Sequence, residues 1–121
     1  MSEISTMRVK AHIAKRFKDI HSAADVARDL AINWETLRKC FLRIERIPLH
    51  DYIAEVRVAE MQELLRTTDL SCMAVCLECG CREDVGARLF KRHTGITMKQ
   101  FRDKCHGESY RSLGKVGLGQ R

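Results

Sequence analysis

Two stretches decide the fold of this 121-residue chain: Ser22-Ala-Ala-Asp-Val-Ala-Arg-Asp-Leu-Ala-Ile-Asn33 and Ser71-Cys-Met-Ala-Val-Cys-Leu-Glu-Cys-Gly-Cys-Arg82. Displaced by 49 residues without a gap, they superimpose Ser22 on Ser71, Val26 on Val75, Ala27 on Cys76, Asp29 on Glu78, Leu30 on Cys79, Ala31 on Gly80 and Ile32 on Cys81. The same offset carries Phe41 onto Phe90, Arg43 onto Arg92, Ile47 onto Ile96, Leu49 onto Met98 and Tyr52 onto Phe101. Self-similarity at a fixed offset means that one structural unit is built twice. Each copy has a serine cap, apolar residues four apart, a small residue at a turn and a second helical segment ending in Phe-x-Arg. That is the pattern of a helix-turn-helix.

Outward from the repeat, periodicity is helical everywhere and no segment alternates like a strand. Met7, Ala11, Ala14 and Phe17 predict one apolar face of a first helix. Ser22 with Asp25 has the form of a capping box before a short helix to Leu30, and Asn33 caps a helix from Trp34 to Glu45. Pro48 suits the start of an unbroken helix through Thr67; 19 residues at 1.5 Å each give it a length of roughly 28 Å. Ser71 caps a short helix that Gly80 ends, Arg82 to His93 forms its partner, and Thr97 caps a last helix to about Cys105. The expected fold is all-α: two helix-turn-helix units, about 22–45 and about 71–93, joined by a long linker helix of about 48–67 within a domain of 7–104. The tail of 105–121, with four of the seven glycines, is expected to be disordered.

Length allows one domain and leaves no room for a separate sensor or catalytic domain. The longest apolar run, Met73 to Leu77, is far below the roughly 18 residues of a membrane span. The polar start lacks a signal-peptide pattern, so no membrane partner and a cytoplasmic location are expected. Net charge is +6 and unevenly placed, with nine basic and two acidic side chains in residues 85–121. Such a basic end suits an anionic partner. Two reading helices joined by a rod of this length could enter successive major grooves, about 34 Å apart, on one face of a DNA duplex.

The sequence resembles the DNA-binding domain of the AraC/XylS family of bacterial transcription regulators over about Val9 to Lys104. The resemblance is densest in Leu89-Phe-Lys-Arg-His-Thr-Gly-Ile-Thr-Met-Lys-Gln-Phe-Arg102, with support from Leu64-Leu-Arg-Thr-Thr-Asp-Leu-Ser71. It implies a seven-helix, two-lobed domain that binds double-stranded promoter DNA and usually activates transcription by contacting RNA polymerase. Three positions depart from the family pattern. Met98 stands where the family has proline, Cys81 where it has an aromatic residue, and the segment between Gly80 and Phe90 is a residue shorter. Gly86 in mid-helix costs about 1 kcal/mol relative to alanine, which predicts a weaker or differently angled second reading helix.

The resemblance places base contacts on the early turns of the second helix of each unit. In the first these are Trp34, Glu35, Thr36, Arg38 and Lys39. Arg38 can donate two hydrogen bonds to guanine O6 and N7, Thr36 can offer a methyl group to thymine, and Glu35 can accept from cytosine N4. Lys39 and Arg43 suit phosphates, which position the protein without reading sequence. In the second unit Arg82, Glu83, Asp84 and Arg88 occupy the matching face, followed by Lys91 and Arg92 at phosphate positions. Trp34 could instead be a packing residue, and Glu83 and Asp84 could serve only the helix dipole.

A different reading starts from the cysteines. Cys72, Cys76, Cys79 and Cys81 fall within ten residues, and thiolates on one face could bind a metal or sense redox state. Against it, the repeat sets Cys76, Cys79 and Cys81 over Ala27, Leu30 and Ile32, which makes them small core hydrophobes. The five histidines are scattered. With no nucleophile beside a base, no paired carboxylates and no glycine-rich phosphate loop, neither an enzyme nor a cofactor is expected. Two motifs in one chain make a monomer sufficient for a two-groove site.

Overall fold

A computed structural model of the chain describes residues 5–114, with side chains through His106. Seven α-helices and a 3-10 turn make up the described residues, and no strand occurs among them. The first helix, α1, is Thr6–Arg16, followed by the 3-10 turn Phe17–Asp19. The Ser5 hydroxyl accepts from the Arg8 N–H at 3.3 Å, as an N-cap should. The buried face of α1 is Thr6, Val9 and Ile13, continued by Phe17, whereas Met7 is 78% exposed. The expected face of Met7, Ala11 and Ala14 is therefore wrong apart from Phe17. Both faces repeat every four residues, and the bulky β-branched residues bury more apolar surface than two alanines.

Helix α2 is Ala23–Asp29 and α3 is Trp34–Glu45. The Asp25 carboxylate accepts from the His21 and Ser22 N–H groups at 2.9 and 3.2 Å. Asn33 Oδ1 accepts from the Thr36 N–H at 3.0 Å. Helix α4, Leu49–Thr67, is the expected rod. Pro48 sits at its N-cap, where the ring's fixed φ starts the helix and its missing N–H is of no consequence.

Helix α5 is Cys72–Glu78 and α6 is Glu83–Thr94. Ser71 Oγ accepts from the Ala74 N–H at 3.1 Å; Ala74 stands where the first unit has Asp25, so this cap uses the hydroxyl with no carboxylate in return. Thr97 and Gln100 form a reciprocal capping box, each backbone N–H donating to the other's side chain at 2.9 and 3.0 Å. The helix it opens, α7, runs Met98–Gly114, past the end expected near Cys105. Gly107 alone costs only about 1 kcal/mol, and no proline follows to break the backbone ladder. Residues 115–121 of the basic tail lie outside the described residues.

Nineteen buried residues form one core that spans both units. Its repeat symmetry is physical. Phe41 packs against Tyr52 with ring centroids 5.5 Å apart, and Phe90 packs against Phe101 at the same 5.5 Å. Each phenylalanine is fully buried in its own lobe and meets an aromatic residue one turn inside the following helix. The buried residues of α4 run along its length from Leu49 and Ile53 to Met61 and Leu65, so the rod is the wall that both lobes share. Arg102 fastens α7 to its far end, donating to the carbonyls of Leu65 at 3.2 Å and Thr68 at 3.0 Å.

Gly86, in the middle of α6, stands at a close contact. A Cβ at this position would lie 2.5 Å from Cys76 Sγ and 3.0 Å from Cys76 Cβ. The repeat pairs Ala27 with Leu37 in the first lobe and Cys76 with Gly86 in the second. A larger residue on the first helix is thus matched by a smaller one on the second, and α6 keeps the same twelve-residue length as α3. The glycine is a packing requirement, and its propensity cost is offset by close approach of α5 and α6.

Candidate nucleic-acid interface

The candidate interface consists of the outward faces of α3 and α6. Leu37 and Phe41 anchor α3 inward, and helical geometry then turns Trp34, Glu35, Lys39 and Arg43 outward. Phe90 and the bare backbone at Gly86 anchor α6, leaving Glu83, Asp84, Ala87, Arg88, Lys91 and Arg92 exposed. Every sequence-selected residue is therefore on an accessible helix surface. Arg82 is the exception in kind: it is the N-cap of α6, just outside the helix.

The cations divide into two sets. Arg38 donates from Nε and Nη2 to Glu35 Oε1 at 3.2 and 2.9 Å, and from Nη2 to Oε2 at 2.6 Å. Arg82 grips Asp84 in the same forked way, at 3.2 and 2.9 Å. The arginine fork holds the Glu35 and Asp84 carboxyls below their ordinary values, chiefly through these hydrogen bonds, and raises Arg38 in return. Lys39, Arg43, Arg88, Lys91 and Arg92 make no ion pair among the described residues. Two arginines are thus paired with a neighbouring carboxylate at the surface, while five cations keep their charge available to an anion.

The repeat extends to the surface. In the first lobe a cavity of about 260 Å³ lies between α3 and the start of α4, lined by Trp34, Arg38, Leu42, Pro48, Leu49 and His50. In the second, a cavity of about 480 Å³ lies between α6 and the start of α7, lined by Ala87, Arg88, Lys91, Arg92, Thr97 and Met98. Four lining positions correspond at the offset of 49. The first groove is mainly apolar, and the second carries three cations over an apolar floor. Trp34, 36% exposed, is a rim residue of the first groove and is neither fully buried nor free of packing. Sequence reasoning did not single out Leu42, 43% exposed on α3 and part of the first groove's lining.

The cysteine reading finds no support. Cys76, Cys79 and Cys81 are buried and Cys72 is half-buried. Burial pushes the Cys76 thiol up to about 11 and the Cys79 thiol up to about 12, and raises Cys81 as well. Metal binding needs thiolates, and this environment disfavours them. Among the described residues no group of histidine, cysteine or acidic side chains is placed to hold a metal ion. Nor is any described helix long and apolar enough to cross a membrane.

Two helix-turn-helix units sharing one rod, with their second helices exposed and basic, define a bipartite helix-turn-helix protein. The family model described as a helix-turn-helix domain matches residues 26–104, well over half of the chain, and the protein belongs to this family in its AraC-type form. Its fold is similar to the C-terminal domain of AraT, a response regulator from Geobacillus stearothermophilus, with a TM-score of 0.78 at 22% identity, covering 85% of this chain and 88% of that one. It is also similar to an AraC-type transcriptional regulator from Chromobacterium violaceum, with a TM-score of 0.74 at 19% identity, covering 82% and 89%. The DNA-binding domain of AdpA, a global transcriptional factor solved in complex with a target DNA, gives a TM-score of 0.75 at 20% identity, covering 92% of this chain and 96% of that one. No curated protein matches the sequence.

Proposed function

We propose that this chain is a sequence-specific DNA-binding transcription regulator that inserts α3 and α6 into adjacent major grooves of promoter DNA. The observation that carries this reading is the repetition of one helix-turn-helix on a single rod, with available cations on both second helices. Arg38 reads a guanine, and Trp34 and Thr36 with Leu42 offer apolar contact to neighbouring thymine methyl groups. Lys39 and Arg43 meet phosphates beside the first box. In the second lobe Arg88, Lys91 and Arg92 supply the anchoring charge, Arg82 is its candidate base reader, and Glu83 sits where it also favours the α6 N-terminus. AdpA, similar in fold and bound to its target, supports double-stranded DNA as the partner. RNA polymerase is the protein partner that the family resemblance implies.

Selection of bound duplexes from a random library at about 150 mM salt tests the reading, because non-specific electrostatic binding is already weakened there. Enrichment of two boxes about ten base pairs apart is the expected result. A single enriched box would remove base reading from the second lobe, and a folded protein that enriches nothing would refute sequence-specific recognition. The monomer suffices for a two-box site, so the complex is expected to contain one chain per duplex.

A further inference from the structure

Gly80 ends α5 with φ +83, in the left-handed region where glycine is favoured. Its repeat partner Ala31 occupies the same turn of the first lobe at φ 56, and there an alanine is accommodated. Positive φ therefore does not by itself explain the glycine at position 80. Contact does. A Cβ on Gly80 would lie 2.6 Å from the carbonyl oxygen of Lys18 and 2.9 Å from its Cα, both backbone atoms with little freedom to withdraw. Ala31 is exposed and Gly80 meets the other lobe.

The segment that Gly80 meets is the 3-10 turn Phe17–Asp19 between α1 and α2. Arg57, on α4, reaches the same segment and donates through Nη2 to the carbonyl of Phe17 at 3.0 Å and to that of Ile20. Its Nε is buried without a hydrogen-bond partner, so the guanidinium is committed to the turn at the cost of one unsatisfied donor. On the outside Lys18 pairs with Glu78 of α5 at 3.5 Å, an exposed contact that guides more than it holds. Three contacts thus converge on one short segment of the first lobe, from the shared rod and from the turn of the second helix-turn-helix.

A regulator that reads two boxes needs such a fixture. One extra base pair between boxes moves the second by about 3.4 Å and rotates it by about 35° around the duplex. A rod alone resists this poorly, because long helices bend. We propose that the 3-10 turn Phe17–Asp19 is the gauge that fixes the angle between the two reading helices, with Gly80 and Arg57 as positioning residues that set the permitted spacing between DNA boxes. This rests on the two-groove reading above.

The test uses the full chain with Gly80→Ala, Arg57→Met and, as a control, Ala31→Gly. Residual dipolar couplings of backbone N–H groups report the angle between lobes without DNA. In the parent both lobes fit one alignment tensor; in Gly80→Ala and Arg57→Met they are expected to need a changed relative orientation, with chemical shifts inside each lobe retained. On duplexes carrying the two selected boxes, the parent is expected to lose about tenfold or more in affinity when the spacer changes by one base pair, and the two variants about twofold or less. Ala31→Gly should leave both readouts as in the parent. If Gly80→Ala does not fold, Arg57→Met decides, since it adds no atom at the contact. Parental orientation and parental spacing discrimination in the folded variants would overturn the proposal. A changed lobe angle in variants of a parent indifferent to spacing would keep Gly80 and Arg57 as residues that fix the lobe angle, and would overturn their role in box spacing together with two-groove recognition.

Discussion

The pairing of Gly86 with Cys76 allows a prediction whose sign can be worked out. Replacing a mid-helix glycine by alanine normally stabilises by about 1 kcal/mol. At Gly86 the new Cβ would stand 2.5 Å from Cys76 Sγ and 3.0 Å from its Cβ, with Cys81 Cβ at 3.4 Å on another side. Cys76 is fully buried, so its thiol cannot swing into solvent. Overpacking of this kind costs about 1–3 kcal/mol, and the net for Gly86→Ala is a destabilisation of about 0–2 kcal/mol. Cys76→Ala alone removes one heavy atom from the core and should cost about 1 kcal/mol. The double variant recreates the alanine that the first lobe carries at position 27. With the 2.5 Å sulfur contact removed, the 3.0 Å contact to the Cβ at 76 retained and the helix gain restored, it should return to within about 1 kcal/mol of the parent, a favourable coupling of about 1–2 kcal/mol. Urea unfolding of the four proteins, followed by circular dichroism, measures each corner of the cycle. Gly86→Ala stabilising by the full propensity gain, with additive singles, would refute the close approach of α5 and α6.

Other outcomes can be checked with the same protein. Phe41→Ala and Phe90→Ala should each destabilise by about 3–5 kcal/mol, since both rings are fully buried; a loss near zero at either in the same unfolding experiment would break the repeat. In binding titrations across base-substituted duplexes, Arg38→Ala should relax preference at one position and cost about 1–3 kcal/mol, whereas Lys91→Ala should weaken all sequences alike and reduce the salt slope by about one. Identical profiles for the two would contradict the division into reader and anchor. Glu35→Gln frees the Arg38 fork and removes a charge of the wrong sign for DNA. Non-specific affinity should rise while discrimination at the Arg38 position falls, and a loss of both would assign Glu35 a direct base contact. Finally, Cys76 and Cys79 are protonated in the folded state up to about 11 and about 12, above the ordinary thiol value of 9.0. Raised folded values mean that their contribution to stability is fully present below pH 9 and is lost as pH rises through 11 to 12. Chemical unfolding at stepped alkaline pH should show this fall, reduced in Cys76→Ala; alkylation of both thiols at pH 8 without unfolding would refute their burial.

Much of the architecture was legible because its signals are local. Asp25, Asn33, Ser71 and Thr97 mark helix starts through side chains that satisfy nearby backbone groups, and the starts fall within a residue of expectation. The bounds of α4 follow from Pro48 and the absence of any breaker before Thr67. The face of α1 was misread because two rows of residues share one period and only their partners across the core choose between them. The outward positions of Arg38, Lys39, Arg88 and Lys91 could be inferred once Phe41 and Phe90 were recognised as anchors. Which arginine is paired could not, since Arg38 with Glu35 and Arg82 with Asp84 depend on rotamers.

By itself, then, the sequence determined that the chain is helical, that one helix-turn-helix occurs twice, and where each begins, because caps, turns and apolar period act over a few residues. The tertiary structure alone decided why glycine stands at 80 and 86, how Arg57 and the 3-10 turn join the lobes, and which thiols are out of reach. Those facts depend on atoms brought together from distant positions, Lys18 against Gly80 and Cys76 against Gly86, and no local preference encodes the distance between them.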